Sequence, residues 1–285
     1  MHKLPSLSIV VPSRTGRVEG LRNQLNRQSF RDWELIVNTE PPTPGQARNL
    51  GAAGAKGKWL VFIDDDVQLG HEHLLANLAE ALESVGERAV VGVPCQLTPG
   101  ATSFQKRMFR ESFNGNISCD TKPLVEVPWR DSVNGRCMAM SRQLFEELGG
   151  FDGRLPSGEE PELLYRHCQR SGKIYLLGNH WVYYAPPETF RVAIRKTVWY
   201  ERGNVQLTRK HPESNHRMVL RSPLHAVIYL LFRTVGLPAL CFVKVSYHYR
   251  LPRLQWRPIS AFLSYLGAWV YCFNWFSSPA GSYSG

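Results

Sequence analysis

Trp59-Leu60-Val61-Phe62-Ile63-Asp64-Asp65-Asp66 drives five large apolar residues straight into three carboxylates. The apolar run is short and rich in bulky side chains, which reads as a strand covered on both faces. Three like charges at its end need something positive beside them. Closely spaced hard oxygen ligands at the rim of a sheet suit Mg²⁺ or Mn²⁺ shared with substrate phosphates. A solvated acidic turn capping the next helix is the plainer reading. Placement after a third parallel strand favours the metal.

Upstream, Leu7-Ser8-Ile9-Val10-Val11 is another buried strand, stopped by Pro12. Val18, Leu21 and Leu25 follow at helical spacing, then Trp33-Glu34-Leu35-Ile36-Val37 as a second strand and a Pro-rich turn at 41–44. Gln46 to Ala55 reads as a helix of small residues. Downstream, Leu74, Leu75, Leu78 and Leu82 form a helical stripe, and Ala89-Val90-Val91-Gly92-Val93 a fourth strand. Strands alternating with helices imply an α/β fold, a mostly parallel sheet with helices on both faces. Ligands of such sheets sit beyond the carboxyl ends of the strands. Those ends are Pro12-Ser13-Arg14, Asn38-Thr39-Glu40 and Asp64-Asp65-Asp66. Beyond them the spacing predicts a helix near 102–112, a strand over 133–141, and helices over 142–148 and 161–171.

Charge divides the chain. Residues 1–190 hold 21 Lys+Arg and 22 Asp+Glu, and residues 191–285 hold 13 and 2. A long basic helix spans 188–210, and two apolar segments follow, 224–243 and 259–276, with Lys244, Arg250, Arg253 and Arg257 between them. A hairpin crossing twice would put that basic link outside, against the positive-inside tendency. Helices lying in the cytoplasmic interface, with Trp256, Trp269, Tyr271 and Trp275 at headgroup depth, fit better. We therefore divide the chain into a domain over 1–215 and a basic, aromatic-rich membrane-associating region over 216–285. The six cysteines form no C-x-x-C pair, which excludes a zinc knuckle and suits a reducing compartment. The N-terminus passes directly into a strand pattern, so the expected location is the cytoplasmic face of a membrane.

Two further groups carry chemistry. Arg48, in Gln46-Ala47-Arg48-Asn49-Leu50-Gly51, lies on the helix preceding the acidic strand, where it can pair with a phosphate or with those carboxylates, or merely sit at the surface. Gly158-Glu159-Glu160-Pro161-Glu162 opens a helix containing Arg166. Acids there ordinarily serve the helix dipole, but one held rigidly at the rim can act as a general base. Gly51, Gly54 and Gly57 stand between helix and strand, the reverse of a dinucleotide fingerprint.

Four segments in order resemble the family 2 glycosyltransferases with the GT-A (nucleotide-diphospho-sugar transferase) fold. They are Leu7 to Ser13, Ala47-Arg48-Asn49-Leu50-Gly51 with Gly57, Phe62 to Asp66, and Gly149-Gly150-Phe151-Asp152 followed by Glu159-Glu160 and Arg166. The resemblance covers about residues 5–212. It implies transfer from a nucleoside-diphosphate sugar with inversion. Asp64 and Asp66 match the D-x-D motif, Asp66 as metal ligand and Asp64 as ligand or ribose contact, with Asp65 between them. Pro12, Ser13 and Glu40 match the nucleotide pocket and Arg48 the basic residue near it, Arg14, Asp64 and Asp65 being assigned to donor binding with them, and Glu160, with Glu159, matches the catalytic base pair. Arg166, Trp199 and Arg202 are assigned to the acceptor side. Three departures stand out: Asn38-Thr39-Glu40-Pro41 replaces an Asp-Asp-Gly-Ser turn, Glu159-Glu160 replaces a Glu-Asp pair, and Tyr183-Tyr184-Ala185 stands where many members have a metal-binding His, with His180 earlier.

The expected activity is sugar transfer to a hydroxyl acceptor, lipid-linked or membrane-proximal, in cell-envelope or polysaccharide synthesis. Expected partners are the donor, the acceptor and an anionic membrane surface. A nucleic-acid-binding protein would use the basic segment, yet no zinc-finger, recognition-helix or aromatic RNP pattern accompanies it. An inactive scaffold subunit is the other alternative.

Overall fold

The structure, a computed structural model, describes residues 4–39, 42–112, 123–128, 136–214, 219–244, 253–254 and 256–277. In chain order the first elements are β1 (Leu7–Pro12), α1 (Glu19–Leu25), β2 (Trp33–Asn38), α2 (Pro44–Ala53), β3 (Trp59–Ile63), β4 (Gln68–Leu69), α3 (Leu74–Val85) and β5 (Ala89–Gly92). Then come β6 (Cys95–Leu97), α4 (Ser103–Ser112), β7 (Leu124–Glu126), β8 (Cys137–Ser141), α5 (Arg142–Glu147), α6 (Glu159–Gln169), β9 (Lys173–Leu177) and β10 (Val182–Tyr184). The last are α7 (Phe190–Lys210), α8 (Pro223–Val235), α9 (Leu237–Phe242), β11 (Val243–Lys244), β12 (Arg253–Leu254) and α10 (Pro258–Ser277).

Two compact units emerge. The first takes the described residues of Met1–Ala101, Gly115–Arg154 and Glu159–Ala185. Its main sheet runs β2-β1-β3-β8-β5-β9-β7, with β8 and β7 opposing five strands that share a direction. A small sheet, β4-β10-β6, stands beside it. Alternation along the strands sorts the core. Leu7, Ile9 and Val11 with Trp59, Val61 and Ile63 face one layer, where they meet the leucines of α1 and α3. Val10, Leu60 and Phe62 face the other, against Leu144 and Phe145 of α5 and Leu163 and Leu164 of α6.

The second unit takes the described residues of Thr102–Asn114, Leu155–Gly158 and Pro186–Gly285. Here α7 packs along α10, and Gly267 makes room for Glu201, whose Oε1 would lie 2.7 Å from a Cβ there. Glu111 accepts from the amide of Ser260 at 2.8 Å and so satisfies the start of α10. By compactness α7 therefore groups with the C-terminal helices, whereas the sequence division placed it before residue 215.

Most elements fall where the patterns put them. The helix of small residues starts at Pro44 instead of Gln46 because Thr43 caps it, accepting from Gln46 N, and Pro44 supplies a preset first turn. The helix expected from 161 begins at Glu159. The strand expected from 133 is described from Cys137, residues 129–135 lying outside the described set. The 224–243 segment is two helices that meet at Gly236, and no helix among the described residues is long and apolar enough to cross a membrane.

Candidate active site

The parity that buries Leu60 and Phe62 on the α2 and α6 side carries Asp64 to that same side, one residue past the strand. The amide of Asp64 still bonds the carbonyl of Arg136, which precedes the antiparallel β8. Facing it is Arg48. On α2, Arg48, Gly51 and Ala52 form the buried face, and Gly51 lets the helix lie on the sheet: a Cβ there would come within 2.4 Å of Val10 Cγ1 and 2.7 Å of Asn38 Nδ2. Asn38 fastens the same helix, its amide donating to Ala47 O at 3.0 Å.

Asn49, next along, clamps the glycine turn. Its Nδ2 donates to Phe151 O at 2.8 Å and its Oδ1 accepts from Phe151 N at 2.9 Å, across a turn whose Gly150 has φ +69°. That clamp brings the Phe151 ring to 5.5 Å from the Arg48 guanidinium. Arg48 is 2% exposed and binds three carboxylates. Nη1 donates to Glu159 Oε1 at 2.6 Å, and Nη2 reaches Asp64 Oδ1 at 2.7 Å and Glu160 Oε1 at 3.0 Å.

One guanidinium thus faces three acids. Burial opposes the charge of Arg48, but Glu160, Asp64 and Glu159 outweigh it and hold the group protonated above its ordinary range. Burial pushes Asp64 up to about 6, with Arg48 and Arg136 pulling against it and Glu160 and Asp66 adding to it. Burial and the neighbouring Glu160 raise Glu159, against the pull of Arg48. Nε of Arg48 and Oε2 of Glu159 are buried with no protein partner. The site sets three acids against one guanidinium and leaves these two buried atoms with unspent hydrogen-bonding capacity.

The acids differ in access. The Glu159 side chain is 3% exposed, Glu160 15% and Asp64 30%. Asp65 is half-buried, and Asp66 is exposed on the turn before β4. Ser13 is buried beyond β1, its amide donating to Asn38 O and its Oγ accepting from Gly16 N, while Pro12 is half-buried and Arg14 exposed. Glu40 lies outside the described residues. Arg166 is committed to Glu162 and to the carbonyls of Leu148 and Gly150, tying α6 to the glycine turn. Trp199 and Arg202 belong to α7 in the second unit.

The segment Tyr183-Tyr184-Ala185, where the resemblance leads one to expect a histidine, runs along β4. Val182 pairs with Leu69 and Tyr183 with Gln68, so continuing the register brings Tyr184 beside Val67, the residue after Asp66. The Arg136 guanidinium lies 3.5 Å from the Tyr184 ring centre. His180 sits toward the other end of the strand, its ring 4.7 Å from that of His71. Arg136 is the site residue the sequence reading missed; only antiparallel pairing of β8 with β3 brings it beside Asp64.

Residues 13–149 match the model of glycosyl transferase family 2. No curated protein matches the chain. Among solved structures, the mannosyltransferase PcManGT from Pyrobaculum calidifontis, in complex with GDP-Man and Mn²⁺, superposes with a TM-score of 0.58 at 14% identity, covering 98% of this chain and 89% of that one. S. aureus TarS gives 0.50 at 14%, covering 94% and 54%. GalNAc-T7 with UDP, GalNAc and Mn²⁺ gives 0.49 at 17%, covering 79% and 54%. This chain spans about half the length of TarS and of GalNAc-T7. Arg48 and the acidic strand end both lie inside the segment that matches the glycosyl transferase family 2 model, and the chain shares the fold of these glycosyltransferase structures.

Proposed function

We propose that the rim of the first unit transfers a sugar, with inversion, from a nucleoside-diphosphate sugar to a hydroxyl acceptor, Glu160 serving as general base. Nucleotide-sugar glycosyl transfer is the chemistry its family supports. The observation that carries the finer reading is the division of labour around Arg48. Glu159 is sealed against the guanidinium, whereas Glu160 shares it and stays partly open. A base needs that combination of rigid placement and access. Glu160 would take the acceptor proton as its oxygen attacks the anomeric carbon, and the bond to the diphosphate breaks on the opposite side with its electron pair leaving on phosphate oxygen.

Asp66, exposed, and Asp64, partly open, fit Mg²⁺ or Mn²⁺, hard cations that take one or two carboxylates and fill the shell with phosphate and water oxygens. Among the described residues no cluster of three or more His, Cys, Asp or Glu is poised for a metal. When bound, the cation supplies positive charge against the departing diphosphate, a contribution of several kcal/mol. Mn²⁺ in the PcManGT complex supports this reading. The basic, aromatic last third supports an acceptor that is lipid-linked or held near the cytoplasmic face of a membrane, as in envelope or polysaccharide synthesis.

The test is acceptor-dependent release of nucleoside diphosphate. Glu160→Gln should lower kcat by about 10²-fold or more with donor affinity nearly unchanged. Wild-type turnover in that variant would refute the assignment. An inactive scaffold is the second reading, favoured by Tyr183-Tyr184-Ala185 standing where the resemblance leads one to expect a metal-binding histidine; donor hydrolysis by the wild type would exclude it.

A further inference from the structure

Helix α8 wears its apolar stripe on the outside. Leu224, Val227, Ile228, Leu231, Phe232 and Val235 recur at spacings of three and four, so they share one face, and each is more than half exposed, Val235 by 81%. Its inner side holds Ala226, Tyr229 and Leu230, packed in a cluster with Tyr271 and Cys272, and Arg233 donates to Ser264 O at 2.9 Å. Further along the chain, Phe242 and Trp256 are both exposed and meet with tilted rings whose centroids lie 4.8 Å apart. A continuous outward stripe of this kind marks an interaction surface.

We propose that this face docks on an anionic lipid bilayer, with α8 lying in the plane of the interface. Charge selects the partner. Residues 191–285 carry 13 Lys+Arg against 2 Asp+Glu, with Arg221 exposed just before α8. Anionic headgroups neutralise that excess, whereas a second copy of the chain would bring an identical excess against it. Length selects the pose. Thirteen residues at 1.5 Å each span about 20 Å, short of a hydrocarbon core of about 30 Å. Helix α10 is longer, but Ala261, Gly267, Ala268 and Tyr271 bury one side of it in protein, so lipid cannot surround it. The inference stands on the second unit's surface and is independent of the transfer chemistry.

Flotation of the full chain with phosphatidylcholine vesicles, with or without phosphatidylglycerol, tests it. The wild type should partition to the mixed vesicles at least about ten-fold better than to the neutral ones, and less so in high salt. The double variant Leu231→Asp with Phe232→Asp should lose about ten-fold or more of that binding while its melting temperature holds, because both side chains are already in water. If that pair fails to fold, Val227→Ser with Phe232→Ser gives the same readout with less perturbation. Undiminished binding by a folded variant, equal binding to neutral vesicles, or a wild-type dimer that the variant dissolves would overturn the proposal.

Discussion

Arg48 is the residue on which the site depends. Its guanidinium is buried among Asp64, Glu159 and Glu160, and its removal would leave three acids without their counter-charge. Arg48→Met should cost about 3–5 kcal/mol of unfolding free energy, measured by urea denaturation, because breaking a buried ion network strands the remaining charges. Glu159→Gln should act in the opposite sense above neutrality. The native carboxyl titrates above its ordinary range, so with rising pH the unfolded chain loses its proton first and stability falls. The amide introduced by the substitution keeps an acceptor for Arg48 and never ionises. The variant's stability relative to wild type should therefore grow from about pH 5 to pH 8, by about 1 kcal/mol or more, and a pH-independent difference in urea midpoints would contradict this. The sequence made the acids visible as residue types. It did not show that Glu159 is sealed while Glu160 stays open, since both precede the same proline and differ only in which side of α6 they occupy.

At the scale of elements, the site is assembled by α2. Gly51 brings the helix onto β1 and β2, and Asn49 clips the glycine turn that leads toward α6. Gly51→Val should force α2 away from Val10 and Asn38 and cost about 1–3 kcal/mol by overpacking. Asn49→Ala should cost about 1–3 kcal/mol through two lost hydrogen bonds to Phe151, together with weaker donor binding if the turn then drifts from Arg48. Thermal melts read the first effect, and nucleotide titration the second. These elements were legible because β1, β2 and β3 are consecutive parallel strands whose ends must share a rim. The placement of β8 was not, because an antiparallel strand inserted between β3 and β5 leaves no local mark in its own residues, Cys137-Met138-Ala139-Met140. Arg136 was invisible for that reason. The split of the 224–243 segment at Gly236 was equally hidden, since its composition reads as one apolar run.

At the scale of the whole molecule, composition separates two tasks. A nearly charge-balanced stretch over 1–190 contains the four motif segments, and a strongly basic remainder contains α8 with its exposed stripe. We propose that the end of β3, with Arg48 behind it, receives a nucleoside diphosphate together with a divalent cation. Thermal unfolding of the full chain with UDP, GDP, CDP or dTDP, each with and without Mn²⁺ and beside Asp66→Ala, tests it most directly. One nucleotide should raise the melting temperature only when Mn²⁺ is present, and Asp66→Ala should abolish the rise while remaining folded. A well-folded wild type that no nucleotide stabilises, or a rise that persists undiminished in Asp66→Ala, would contradict it.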